Sequence, residues 1–308
     1  MKHTILGAGG SIGNVLTNEL LKSKESVRLV SRSNYSIPGA ESFKADISSY
    51  KETLKSVEGS DIVYLCAGLP YDSKLWAEMW PKLMKNTIDA CKNVGAKMIF
   101  FDNVYMYGKV QGKMNEATPY FPCSRKGETR AIVANLLEAE MKHHNLQAMI
   151  ARSADLYGPY ITGNSVPFIM VFDNLMKGKS AQWLANANKL HSLTYTLDCG
   201  KGLNMLWNKD ECYQQIWHLP TSSPAITGKT FIELVAKELG EKPNYMVLKK
   251  WMVRMVGFFN SKIYESYEML YQNEYDYEFD SSKFNDYFIY KPTSYAKGIH
   301  ETMEFLRK

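Results

Sequence analysis

A chain of 308 residues with 37 basic against 32 acidic side chains carries a net charge of +5 at pH 7, too small and too scattered for the basic face that nucleic-acid binding needs. Five cysteines at irregular spacing, with no C-x-x-C pair and no H-E-x-x-H run, argue for reduced thiols and against a disulfide framework or a metal site. No stretch of 18 apolar residues occurs and the chain enters a strand at residue 2, so a cytoplasmic protein with no membrane span is expected.

The first element is the clearest. Ile5-Leu6 runs into Gly7-Ala8-Gly9-Gly10-Ser11-Ile12-Gly13, and Ile12, Val15, Leu16 and Leu20 follow at helical spacing. Strand, glycine turn and helix together aim free N–H groups at an anion, most naturally a dinucleotide pyrophosphate. Val27 to Val30 reads as the second strand and ends in Ser31-Arg32-Ser33. An acidic residue there would suit the ribose of NAD; arginine suits the 2′-phosphate of NADP. A loop arginine in solvent is the plainer alternative.

A third strand, Ser42 to Ala45, ends at Asp46, and a helix is expected over Lys51 to Val57. Asp61 to Gly68 is a buried strand closing on Cys66-Ala67-Gly68, small residues against which a cofactor can lie. The helical region Leu75 to Asn93 carries Pro81, which should kink it or start a new segment. A strand at Met98 to Phe101, a turn-rich stretch to Pro122, a helix from Arg125 to His143 and a strand at Ala148 to Ala151 follow.

This alternation implies an α/β fold: a Rossmann-type doubly wound parallel sheet with ligands at the carboxyl ends of the strands. The expected division is a dinucleotide domain over 1–156, with return segments near 191–220, and a smaller substrate lobe over 157–308. Beyond residue 156, His191 to Leu197 and Gln215 to Leu219 read as strands and Thr230 to Leu239 as a helix. Val247 to Tyr267 (Trp251, Met252, Met255, Phe258, Phe259, Ile263) has helical spacing with basic neighbours Lys249, Lys250 and Arg254. That stripe reads as core or pocket wall, a lid over an apolar or aromatic substrate, rather than a membrane-surface helix.

The motifs in order resemble the extended short-chain dehydrogenase/reductases, the NAD(P)-dependent epimerase/dehydratase family. They are G-A-G-G-S-I-G, Ala45-Asp46-Ile47, Cys66-Ala67-Gly68, Asn86, Tyr107-Gly108, Pro122 to Arg130, Arg152 to Pro159 and Leu197-Asp198. The resemblance implies that Gly7, Gly10 and Gly13, with Gly9, Ser11 and Ile12 in the same loop, hold the pyrophosphate. It implies Arg32, with Ser31 and Ser33, for the 2′-phosphate; Asp46 and Ile47 for adenine; and Cys66, Ala67 and Gly68 for the cofactor floor. Asn86, Lys126 and Asp155 fall at further cofactor-side positions. Family members often dimerise through helices corresponding to Leu75–Asn93 and Arg125–His143.

The family's catalytic serine, tyrosine and lysine are replaced by Asn103, Lys126 and Arg130. Two readings stand. In one, the protein is an NADP-dependent oxidoreductase or epimerase with altered chemistry. Lys126 and Arg130 then point the same way one helical turn apart, and like charge and burial lower the lysine pKa. The lysine becomes an acid/base or, with Arg130, an anion clamp, while Tyr105 or Asp102 can supply a proton instead. In the other, the protein binds NADP as a redox-linked regulator with little turnover. A plain solvated helix face is the third possibility for the two cations. Asp155 stands where sugar-nucleotide enzymes of the family carry asparagine, and His191 where they carry a phosphate-gripping arginine. An acid would repel a diphosphate and Lys189 compensates only in part, so a small carbonyl or alcohol substrate is expected, though His191 also reads as a satisfied polar residue at a strand start.

Overall fold

In the first strand alternate side chains face opposite layers. Leu6 packs with Val63, Leu65, Met98 and Phe100 on one side, Ile5 with Ile62, Tyr64 and Ile99 on the other. Strands buried on both faces in this way need helices on both sides, and the alternating sequence supplies them. The computed structural model describes residues 1–33, 35–161, 163, 165–257 and 261–307.

Seven strands form one parallel sheet: β1 (Lys2–Leu6), β2 (Ser26–Ser31), β3 (Glu41–Lys44), β4 (Ile62–Leu65), β5 (Lys97–Asp102), β6 (Ala148–Arg152) and β7 (Ile216–His218). Their spatial order is β7-β6-β5-β4-β1-β2-β3. The order reverses between β1 and β4, which opens a crevice at the strands' carboxyl ends. Against one face lie α1 (Ser11–Lys22) and the helix Thr196–Leu206; against the other lie α2 (Tyr50–Val57), α3 (Ser73–Val94) and α4 (Arg125–Lys142). Asp72 caps α3 by accepting the Leu75 N–H at 2.9 Å, and Ser124 caps α4 by accepting the Gly127 N–H at 3.0 Å. A third cluster, with Tyr157, Phe172, Trp183, Phe231 and Tyr295, lies among the remaining residues. Among the described residues no helix is long and apolar enough to cross a membrane.

Several expectations are corrected. Pro81 starts no new segment: one helix runs through it from Ser73 to Val94. The strand expected over His191 to Leu197 is two short pieces, Leu190–His191 and Leu193–Tyr195, and the chain turns helical at Thr196. Val247 to Tyr267 is not one apolar stripe. Tyr245–Leu248 is a strand paired with Ala181–Leu184, and two short helices follow. Of the stripe residues Trp251 and Met255 face solvent, and it is their neighbour Val253 that is buried, because a helix of eight residues turns only one face to Leu184 and Leu270. Phe258 and Phe259 lie outside the described residues.

Candidate active site

The turn after β1 sits directly on the tip of β4. Gly7 has φ of 101°, and a Cβ there would lie 2.4 Å from the Cα of Ala67, so the position excludes any side chain. Gly10 precedes α1 with extended backbone and no side-chain cap. The first N–H groups of that helix, among them those of Ser11 and Ile12, therefore have no capping side chain, and the helix dipole adds positive potential. Gly9 lies against the Tyr35 ring, whose atoms would be 3.4 Å from a Cβ. Such a turn and helix start could hold an anion against backbone N–H groups.

The residues expected around the adenosine half gather at the ends of β2 and β3. Ser31 accepts the Tyr35 N–H at 2.9 Å, while Arg32 and Ser33 are exposed. The Ser48 N–H, at 2.9 Å, holds the Asp46 carboxyl below the usual carboxylate range, with the Arg32 charge acting in the same direction. Asn86, on α3, donates to the Ile47 carbonyl at 3.0 Å; it ties the adenine-side loop to the helix rather than facing a ligand with that amide group. At the β4 tip, burial pushes the Cys66 thiol up to about 12, so Cys66 offers an uncharged floor beside Ala67 and Gly68.

Asn103, Lys126 and Arg130, the three residues expected at catalytic positions, do not form a joint site. Asn103 turns onto the backbone, where its side-chain oxygen accepts the Tyr105 N–H at 3.0 Å. Lys126 is wholly buried. Its Nζ donates to Glu265, to the Glu265 carbonyl at 3.0 Å and to Glu268 at 2.9 Å, and lies 4.3 Å from the centre of the Tyr71 ring. Arg130 donates to Asp102 through Nε at 2.8 Å and through Nη2, and its guanidinium lies 4.3 Å from the centre of the Trp80 indole. The like-charge setting expected for Lys126 is therefore corrected: two carboxylates face the ammonium, and another carboxylate takes up Arg130. An anion clamp would require both cations to exchange these partners. Asp102 as proton source is corrected too. Its Oδ1 accepts from Arg130 and from the Asn103 N–H, and Arg152 stands 3.5 Å from its Oδ2.

Arg152 extends this buried network. It donates to the Tyr107 hydroxyl at 2.8 Å and to that of Tyr120, and Tyr107 meets Nε2 of His218 at 2.8 Å. Burial, with the Arg152 charge second, holds His218 well below its ordinary pKa.

Beyond the β4 tip a narrow, partly open cleft has polar walls that include Tyr71, Tyr105, Asp155 and His191 and apolar walls that include Met170, Trp183 and Met269. No lysine or arginine is among the described residues that line it. His191 is buried, and its Nε2 meets Oδ2 of Asp155 at 2.9 Å. The bare acid expected at 155 is thus a partnered one. Lys189 pairs instead with Asp276 at 3.2 Å. Burial raises both the Tyr71 and Tyr105 phenols well above their ordinary range.

Sequence reasoning missed Glu265, Glu268 and Tyr71. Nothing near Lys126 in the chain signals glutamates 139 and 142 positions away.

A family model described as NAD dependent epimerase/dehydratase matches residues 3–214. A curated relative, an uncharacterised UDP-glucose epimerase of Bacillus subtilis, is 22% identical over 232 residues, spanning 68% of this chain and 73% of its own. Solved structures share the fold. The dTDP-glucose 4,6-dehydratase of Bacillus anthracis, in complex with NAD, superposes with a TM-score of 0.82 at 16% identity, covering 100% of this chain and 96% of that one. The UDP-glucuronic acid 4-epimerase of Bacillus cereus, also with NAD, gives 0.81 at 19% identity, covering 100% and 99%.

Proposed function

Because the chain belongs to the NAD dependent epimerase/dehydratase family, we propose that it is a dinucleotide-using enzyme that oxidises or reduces a hydroxyl- or carbonyl-bearing carbon in the cleft beyond the β4 tip, with NADP preferred. The observation that carries this reading is the pairing of the uncapped α1 start with the Gly7–Ala67 approach, four residues before a cleft wall at Tyr71. Gly7 to Gly13 would hold the pyrophosphate, Asp46 and Ile47 would border the adenine, and Cys66 to Gly68 would floor the nicotinamide half. When bound, the nicotinamide supplies the acceptor or donor of a hydride. Arg32 between Ser31 and Ser33, with no acid among the three, supports a 2′-phosphate over a bare ribose.

For the substrate, an apolar wall with phenol, imidazole and carboxylate groups suits a small polyhydroxylated or carbonyl compound. The relatives named above act on sugar nucleotides, so the reacting end is proposed to be sugar-like. A cleft lining without lysine or arginine speaks against a diphosphate lying in this space.

A second reading, a dinucleotide-binding regulator with little turnover, is favoured by one fact: carboxylates neutralise both Lys126 and Arg130. Calorimetric titration with NADP and NAD, followed by a screen of nucleotide sugars, free sugars and small carbonyls, separates the two. Turnover with any of them establishes the enzyme; tight dinucleotide binding with no turnover across all three classes establishes the regulator. Absence of dinucleotide binding overturns both.

A further inference from the structure

We propose that Asp155, held by His191, is the group that exchanges a proton with the substrate oxygen in this cleft, a duty moved away from the positions now occupied by Lys126 and Arg130. The proposal rests on the oxidoreductase reading above.

The pair is fixed from several sides. Asp155 begins a short strand, Asp155–Tyr157, that runs parallel to Leu193–Tyr195, with Asp155 in register with Leu193. Two residues earlier His191 lies between the edge-on Trp183 ring, with centroids 5.8 Å apart, and the stacked Tyr277 ring at 5.5 Å. Its Nδ1 faces the Gln272 carbonyl at 3.2 Å and the Asn273 amide nitrogen at 3.5 Å. The imidazole therefore has one orientation, and that orientation turns Nε2 to Asp155. Both groups line the cleft, but the Asp155 side chain is 25% exposed and that of His191 only 3%, so the carboxylate is the more solvent-reachable of the two. A histidine serving only to fill the core would not need a solvent-reachable carboxylate as its partner.

Other candidates are committed elsewhere. Lys126, Arg130 and Asp102 are bound in ion pairs. Tyr71 and Tyr105 line the cleft, but as buried phenols they are poor proton acceptors near neutrality. In an oxidation the substrate C–H electron pair leaves as hydride to the dinucleotide. The O–H bond breaks, and its proton bonds to an Asp155 oxygen while His191 Nε2 holds the other. Reduction reverses both transfers. Asp155 is the catalytic residue; His191 is a positioning residue.

The titratable groups facing Asp155 are His191 and the phenols of Tyr71, Tyr105, Tyr271 and Tyr277. The phenols stay protonated through neutral pH.

The test uses the full chain and whichever compound the substrate screen returns. Asp155→Asn should lose roughly 10²–10⁴-fold in kcat while keeping KM within about threefold. Asp155→Glu should restore part of the rate, and His191→Gln should move the acid limb of the pH profile with a smaller rate loss. Carbon-13 NMR of aspartate-labelled protein without dinucleotide gives a readout apart from turnover: the Asp155 carboxyl resonance should change its titration midpoint in His191→Gln. An Asp155→Asn protein that keeps its turnover, or an acid limb unmoved in His191→Gln, would overturn the inference and leave the enzyme reading standing. Dinucleotide binding without turnover by the unmodified protein would overturn both.

Discussion

The ammonium of Lys126, completely shielded from solvent, lies 2.9 Å from the carboxylate of Glu268, and Glu265 is its second acidic partner. Both glutamates also accept backbone N–H groups at helix starts, Glu265 from Ser73 at 2.9 Å and Glu268 from Arg125 at 2.8 Å. One buried cation thus pins residues 265–268 to the starts of α3 and α4. Removing it leaves two carboxylates short of their counter-charge, which costs on the order of 3 kcal/mol in a buried setting. Lys126→Met is expected to lower the urea midpoint accordingly. Adding Glu265→Gln and Glu268→Gln to that variant should recover part of the loss. A single variant as stable as the parent would show that the contact holds nothing in place.

Asp102 serves two arginines at once. Arg130 donates to it from α4, and Arg152 is its register partner across the β5–β6 pair. All three side chains are essentially excluded from water. Asp102→Asn keeps the shape and strands two guanidinium groups, for an expected cost of about 3–5 kcal/mol, a large part of a typical domain's stability. Arg130→Met should cost less, because Arg152 still meets the carboxylate and methionine keeps the contact with Trp80. Denaturation curves with unchanged slope would establish that ranking; equal costs would contradict it.

The parts of this site that were legible in the sequence are those built from near neighbours. Strand alternation, the Gly7 to Gly13 turn, Asp46 beside Ser48 and Asn86 on its helix are each written into a few adjacent positions. The electrostatics of the catalytic positions were not, because charge partners come from remote segments. Lys126 and Arg130 look like an unpaired cationic face until Asp102, Glu265 and Glu268 close on them. The same holds for Asp155, whose partner lies 36 residues on, across the strand pairing that brings the two together. Trp251 and Met255 show the reverse error: helical spacing suggested burial, but a short helix had too little surface to pack against.

The dinucleotide site gives a third expectation. A Cβ at residue 7 would collide with the backbone of Ala67 and would also force a side chain into a left-handed conformation. Gly7→Ala should therefore abolish NADP binding or reduce it at least about 100-fold, if the protein folds. Arg32 is exposed at the end of β2, so Arg32→Ala should leave the fold alone. It should erase a preference for NADP over NAD of roughly tenfold or more, the worth of a charge-assisted hydrogen bond. Equal affinities for NADP and NAD in the parent protein would refute the assignment.

Acid sensitivity provides the last expectation. His3 in β1 is fully buried, with Tyr64 at 3.1 Å from Nδ1, Glu25 at 3.5 Å from Nε2 and the Trp207 ring edge-on with centroids 4.6 Å apart. Burial lowers its pKa to about 4, with Glu25 opposing the shift. In the unfolded chain the imidazole takes up its proton near pH 6.5, while the folded chain does so only near 4. Between those values the unfolded state binds more protons, so stability falls as pH is lowered through that window. The difference integrates to about 3 kcal/mol. His218 acts in the same direction but is present in both proteins of the comparison and cancels. His3→Gln is therefore expected to lose stability at pH 7 yet to show a shallower decline from pH 6.5 to 4 in urea denaturation. Parallel stability curves for the two proteins would assign the acid limb to other groups.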